Sequence, residues 1–275
     1  MSAVSITSPA QATTAHSTAA SPARDVVDIA HRGSSGSEPE NTVAAVEFAV
    51  DQHASFVEVD VQRTADGELV IIHDTTLART TDAEQVFPDR APWNVGDFTL
   101  AELKELDAGS WFSGDFAGEP IPTLREVVEA LGQRTGFLLE FKAPELYPGI
   151  EADVAEELAS IPGYLRAAVN AGRLVAQSFD HESMSTFHEV APEIPIGLLY
   201  DVRPSDAELV AAREWADQIN PGYAMVDQAL VERIHELGMT ISVYTLNTGQ
   251  LMRQYLNLGV DGIITDYPGV LRDLR

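Results

Sequence analysis

The sequence predicts an α/β fold of the (β/α)8 TIM barrel class, with a small insertion after a hairpin on the second strand. Three observations predict it. From Asp25 onward, short runs rich in Val and Ile alternate with stretches of helical period, the pattern of a parallel sheet whose crossovers are helices. The runs fall at 26–30, 56–61, 136–141, 174–178, 196–199, 218–220, 240–244 and 262–265, enough to close a barrel. No Gly-rich dinucleotide fingerprint follows the first run, which argues against an open doubly wound sheet. A chain of 275 residues with 45% hydrophobic content suits one such barrel.

Residues 1–24 are mostly Ala, Ser, Thr and Pro. Such a segment buries too little apolar surface to offset its ordering entropy, so we read it as a disordered or processed tail. It contains Ala10-Gln11-Ala12, which has the form of a signal-peptidase site, but no charged start and apolar stretch precede it. The compartment therefore stays open: cytoplasmic for the chain as it stands, secreted if its start lies inside a longer precursor. No apolar run approaches the roughly 18–20 residues that a membrane span needs, so a soluble protein without a transmembrane segment is expected.

The barrel proper is expected over 25–275. Its first strand ends in Ala30-His31-Arg32-Gly33. The C-terminal ends of barrel strands build active sites, so His31 and Arg32 belong at the mouth. Arg suits bidentate phosphate recognition, and Gly33 permits a sharp turn. Pro39-Glu40-Asn41-Thr42 opens a helix over 42–53, with Asn41 or Thr42 as N-cap and Glu40 free to point into the site.

The second strand, Phe56-Val57-Glu58-Val59-Asp60-Val61, carries the densest chemistry. Strand residues two apart share a face. The three valines point to the helices, and Glu58 and Asp60 point into the barrel. Two inward carboxylates repel and are poorly solvated unless something offsets them, and a hard cation is the simplest partner. Thr64-Ala65-Asp66-Gly67 then makes a hairpin to an antiparallel strand over 68–73. With Asp66-Gly67 as the turn, Asp60 pairs with His73; with Ala65-Asp66, Glu58 does. Either register sets His73 about 5 Å across strands from a carboxylate, a suitable place for a general acid or base.

A long connection follows, over about 75–122, with Trp93, Trp111 and a short helix near 100–106. Connections that long are usually functional, and we expect this one over the barrel mouth. In Leu138-Leu139-Glu140-Phe141-Lys142, Glu140 and Lys142 share a face: one could complete a metal shell, the other neutralise phosphate. Further helices are expected over 205–216, 228–237 and 248–258, the last two stopped by Gly238 and Gly259. His16, His53, His181, His188 and His235 read as surface residues.

Composition limits function. With 43 acidic and 17 basic residues, the formal charge of −26 repels nucleic acid and anionic membrane surfaces. An anionic substrate would need local cations. The absence of Cys excludes disulfides, thiolate chemistry and Cys-ligated metal.

In order along 26–268, the chain resembles the glycerophosphodiester phosphodiesterase family. The matching pieces are His31-Arg32-Gly33, Pro39-Glu40-Asn41-Thr42, Glu58-Val59-Asp60-Val61, Thr64-Ala65-Asp66-Gly67 and His73-Asp74 with Arg79-Thr80-Thr81. They continue through Leu106-Asp107-Ala108-Gly109-Ser110-Trp111-Phe112, Glu140-Phe141-Lys142, Gln177-Ser178-Phe179-Asp180, Tyr244-Thr245-Leu246-Asn247 and the run from Gly259 to Asp266. The resemblance implies one divalent cation, Mg²⁺ or Ca²⁺, on Glu58, Asp60 and Glu140. It implies His31 and His73 as the acid/base pair, Arg32 and Lys142 at the phosphate, and a small-molecule glycerophosphodiester as substrate. The implied reaction forms a cyclic phosphate that hydrolyses to glycerol 3-phosphate. The sequence leaves open which histidine is the base; the working assignment is His31 as base and His73 as acid. Tyr244 stands where the family often has Trp, on the glycerol or alcohol side. Two alternatives remain. One is lysophospholipase D-type action on lysolipids, with Trp93, Trp111 and Phe112 as an apolar ramp. The other is a barrel that binds glycerophosphodiesters without turnover.

Overall fold

Alternation along each strand divides the core into two layers. In the computed structural model, which describes residues 26–274, the strands are β1 (Val27–Ala30), β2 (Phe56–Arg63), β3 (Leu69–Ile71), β4 (Gly136–Phe141), β5 (Leu174–Ser178), β6 (Ile196–Tyr200), β7 (Gln218–Pro221), β8 (Thr240–Val243) and β9 (Gly262–Thr265). The expected tail lies outside the described residues. Val57, Val59 and Val61 of β2, with Leu139 and Phe141 of β4, face outward and pack with helix residues such as Val46, Val127 and Phe187. Ile29, Leu138, Val175 and Ile264 point inward and plug the barrel, with Phe56 and Tyr244 packed against them.

Among the described residues, eight strands run parallel in the order β1-β9-β8-β7-β6-β5-β4-β2, and β1 closes the ring against β2. Helices fill the crossovers, and capping side chains start several of them. Thr42 accepts from Ala45 N, so the first helix runs Val43–Asp51. Ser205 closes a capping box with Glu208 on Asp206–Ala212, shorter than the expected 205–216. The helices Gln228–Glu236 and Gly249–Leu258 end beside Gly238 and Gly259, both in the left-handed region.

The hairpin differs from both registers expected. Val61 pairs with Ile71, Gln62 with Val70 and Arg63 with Leu69. The loop therefore has three residues, Ala65, Asp66 and Gly67, with Gly67 at φ 92°. Thr64 donates its backbone N–H to Glu68 O at 2.9 Å, and Glu68 N–H returns to Thr64 Oγ1 at 2.9 Å. A three-residue loop with a left-handed Gly is the next commonest hairpin form after the two-residue turn. The shift by one residue would place His73 opposite Val59, on the helix side, had the strand continued. The pairing instead ends with the bond from Ile72 N–H to Asp60 O at 3.0 Å, and the chain curls back to the mouth.

The connection beyond β3 holds the short helices Ala83–Val86 and Leu100–Leu103. It packs on a small core of its own, including Val70, Leu77, Phe98, Leu103 and Ile121.

Candidate active site

Inward alternation of β2 and β4 brings Glu58, Asp60 and Glu140 together. One carboxylate oxygen of each lies within 4.8 Å of the others. Exposure is 1%, 1% and 7%, so water offsets little of their charge. Burial, with repulsion from Asp60 and Glu140, holds Glu58 well above the ordinary carboxylate range. Burial and Asp60 push Glu140 up to about 7. Burial would raise Asp60 too, but Arg32, His73, Lys142 and the Asn41 amide outweigh it and lower its pKa. Clustered, dry, oxygen-only donors of this kind fit a hard divalent cation.

Parallel pairing in register sets up the first histidine. Ala30 of β1 lies opposite Thr265 of β9, so the next residues, His31 and Asp266, meet beyond the strand ends. His31 Nδ1 donates to Asp266 Oδ1 at 2.7 Å. Ser35 and Asn247 also donate to the Asp266 carboxylate. The second histidine uses its sequence neighbour: His73 Nδ1 donates to Asp74 Oδ1 at 2.7 Å. In both rings the carboxylate fixes the N–H on Nδ1 and leaves Nε2 as the free nitrogen. Burial lowers the His73 pKa, with Asp60 and Asp74 opposing that shift.

Arg32 sits at φ 55°, and its backbone N–H donates to Glu58 Oε2 at 2.8 Å. The following Gly33 is at φ 79°, and a Cβ there would stand 2.6 Å from the Ala45 carbonyl carbon. This explains a Gly at that position. The Arg32 guanidinium donates to Glu40 at 2.9 Å, while its buried Nε, 3.6 Å from Asp60 Oδ2, has no hydrogen-bond partner. Lys142 Nζ donates to Glu140 at 3.0 Å and lies 3.8 Å from Asp60. Glu140 and Asp60 keep its pKa raised against the opposing effect of burial.

His31, Arg32, Glu58, His73, Glu140, Lys142 and Tyr244 line one cavity of about 340 Å³, a volume suited to a small ligand. Asp60 lies against it through Arg32 and Lys142. Glu40 is not brought into the cavity wall. Its carboxylate is taken up behind Arg32, by Arg32 and by two N–H groups of Arg79 at 2.9 and 2.7 Å. Tyr244 ties its hydroxyl to Tyr200 O at 2.7 Å and presents its ring edge-to-face to Phe179.

Several partners are not legible in the sequence. Asn41, at φ 59°, donates to Asp60 Oδ2 at 2.8 Å and accepts from Asp60 N. Its place beside the N-cap is visible locally, but its use is not. Asp266 could have been found from the β1–β9 register. Arg79, from the insertion, bridges Glu40 and Asp74, a contact no local pattern signals. Of the aromatic ramp, Trp93 turns inward, packing with the insertion core and donating to Phe87 O. Trp111 remains 39% exposed beside Phe112. His181 and His235 are partly buried and bonded to Leu199 O and Asp261, unlike the surface residues expected.

The sequence profile of the Glycerophosphoryl diester phosphodiesterase family matches residues 31–270. The chain is 40% identical over 249 residues to a glycerophosphodiester phosphodiesterase of Caldanaerobacter subterraneus subsp. tengcongensis, covering 90% of this chain and 96% of that one. It is 34% identical over 264 residues to a glycerophosphodiester phosphodiesterase of Bacillus subtilis, covering 91% and 86%. A phosphodiesterase of Oleispira antarctica, solved in complex with the product sn-glycerol-3-phosphate, superimposes with a TM-score of 0.81 at 32% identity, covering 90% and 96%.

Proposed function

The chain belongs to the glycerophosphoryl diester phosphodiesterase family, and we propose that it hydrolyses glycerophosphodiesters with His31 and His73 as the acid/base pair. One observation carries this reading: two carboxylate-held imidazoles share a cavity with a buried carboxylate cluster and two cations. Glu58, Asp60 and Glu140 would hold one divalent cation, Mg²⁺ or Ca²⁺. When bound, such an ion polarises phosphate oxygens and lowers the pKa of a hydroxyl on it.

The remaining work falls to the chain's own groups. Arg32 Nε and Lys142 Nζ neutralise the phosphodiester anion, which the protein's overall charge repels. His31 Nε2, free because Asp266 accepts from Nδ1, takes the proton of a glycerol hydroxyl as that oxygen attacks phosphorus. His73 is drawn towards its charged form by the anion beside it. It protonates the departing alcohol oxygen as the old P–O bond breaks. The product of this half is a cyclic glycerol phosphate. In the second half His73 removes a proton from water, and His31 returns its proton to the glycerol oxygen, leaving glycerol 3-phosphate. Phe179 and Tyr244, which line the cavity edge-to-face, offer an apolar wall for the carbon skeleton.

The test is glycerol 3-phosphate release from glycerophosphocholine with Mg²⁺ or Ca²⁺ and with EDTA. Release should need the metal and fall by at least about 100-fold in His31→Ala. Absent release from glycerophosphocholine, with turnover of lysophosphatidylcholine, would move the substrate to a lipid. Tight binding without turnover of either would refute catalysis.

A further inference from the structure

Glu58, Asp60 and Gln62 share one face of β2, spaced two residues apart. The first two belong to the acidic cluster; the third is equally buried, at 0% exposure, and the acid/base reaction gives it no part. Its Nε2 lies 2.8 Å from Ile72 O, 3.2 Å from His73 O and 2.8 Å from Asp74 O. Three successive carbonyls converge on one nitrogen, so the chain curls round the amide. The curl begins where the β2–β3 pairing ends, after the bond from Ile72 N–H to Asp60 O at 3.0 Å. Gln62 Oε1 in turn accepts from Tyr147 OH at 2.8 Å. Tyr147 is 5% exposed and follows the short turn Pro144–Leu146, shortly after Lys142 and the end of β4. Burial pushes its hydroxyl up to about 12, so it remains a donor at neutral pH.

We propose that Gln62, oriented by Tyr147, is a positioning residue that sets the His73 imidazole by clamping the main chain at Ile72–Asp74. The inference rests on the reading of His73 as a reacting group. Asp74 fixes the tautomer of His73 but is its chain neighbour, so the two move together. Arg79 holds the Asp74 carboxylate from the insertion at 2.6 and 3.0 Å, but the main chain that carries both side chains needs an anchor of its own. Gln62 is rooted in the same strand as Glu58 and Asp60, so the clamp ties the imidazole to the frame that carries the acidic cluster. An amide is required because the segment presents only acceptors on one side and Tyr147 presents a donor on the other. A Glu at this position would set a carboxylate against three carbonyls.

A double-mutant cycle tests the proposal, because a residue acting through His73 has nothing left to act on once that imidazole is gone. Turnover of glycerophosphocholine is measured with saturating Mg²⁺ or Ca²⁺ in Gln62→Met, His73→Ala and the double variant. Gln62→Met is expected to lower kcat by about 10- to 100-fold with little change in KM, since small displacements of a reacting group cost that much. In the His73→Ala background the same change should cost less than about 3-fold. Tyr147→Phe, which removes one hydroxyl and endangers folding less, should follow the same pattern with a smaller loss. Equal losses in both backgrounds, or no loss from either variant, would overturn the clamp. The p-nitrophenyl ester of glycerol 3-phosphate separates this outcome from the role of His73. Its leaving group needs no proton, so the first-turnover burst of p-nitrophenolate should survive His73→Ala if His73 is the acid, while the later hydrolysis of the cyclic phosphate still slows. A loss of that burst equal to the loss on glycerophosphocholine would remove that role from His73, while the coupling measured in the cycle would still decide whether Gln62 acts through it.

Discussion

Glu140 has the most informative titration among the single residues. Burial and Asp60 push it up to about 7, from an ordinary value of 4.5, and Glu58 is raised as well. A carboxyl whose folded pKa exceeds its unfolded one binds more protons when folded. Its contribution to stability is complete below the unfolded pKa and is lost as pH rises through the folded one. Without a cation, stability from this site should therefore decline between about pH 4.5 and pH 7. A cation displaces those protons, so its stabilising effect grows over the same window. The difference in Tm between Mg²⁺-saturated and EDTA-treated protein is expected to be larger at about pH 8 than at about pH 6. It should shrink in Glu140→Gln. Equal differences at both pH values would count against cation binding by this cluster. At this scale the sequence exposed residue types and faces: Glu58 and Asp60 inward, Val57 and Val59 outward. It did not reveal Asn41, Asp266 or Arg79, whose partners lie 19, 235 and 39 residues away in the chain.

Strand pairing decides what fits in the barrel floor. Phe56 of β2 lies opposite Gly136 of β4, and a Cβ on Gly136 would stand 2.6 Å from the Phe56 ring. The Gly is there because the facing ring fills its place. Gly136→Ala should destabilise the protein by about 1–3 kcal/mol through overpacking, read as a lower urea midpoint at unchanged slope. An unchanged midpoint would mean that the ring moves aside freely. Element types were legible because periodicity of two or near four reports burial directly. The hairpin register was not. Asp-Gly suits a two-residue turn, yet Thr64 and Asp66 bond within a three-residue loop. The Asp66 carboxylate also accepts from Leu100 N, in the insertion. That tertiary bond helps select a loop that local propensity left undecided.

The whole molecule carries a formal charge of −26. Arg32 and Lys142 neutralise phosphate within the cavity, but the surrounding field acts on approach and is screened by salt within about 8–10 Å at physiological strength. Glycerophosphoglycerol is a net anion; glycerophosphocholine is a zwitterion. Raising the salt concentration is therefore expected to increase kcat/KM more for the first than for the second. A parallel response would mean that the long-range field does not reach the mouth. No helix among the described residues is long and apolar enough to cross a membrane.

By itself the sequence determined the fold class, the strands and the side of each strand that carries chemistry, because burial imposes periodicity and periodicity is written locally. Family motifs in order added the reaction. Only the tertiary structure decided which groups hold which. Closing the ring sets Asp266 against His31, the insertion folds Arg79 across Glu40 and Asp74, and Gln62 captures the backbone of His73. These contacts join residues on different elements, and their formation depends on register and closure geometry, which no single stretch of chain contains.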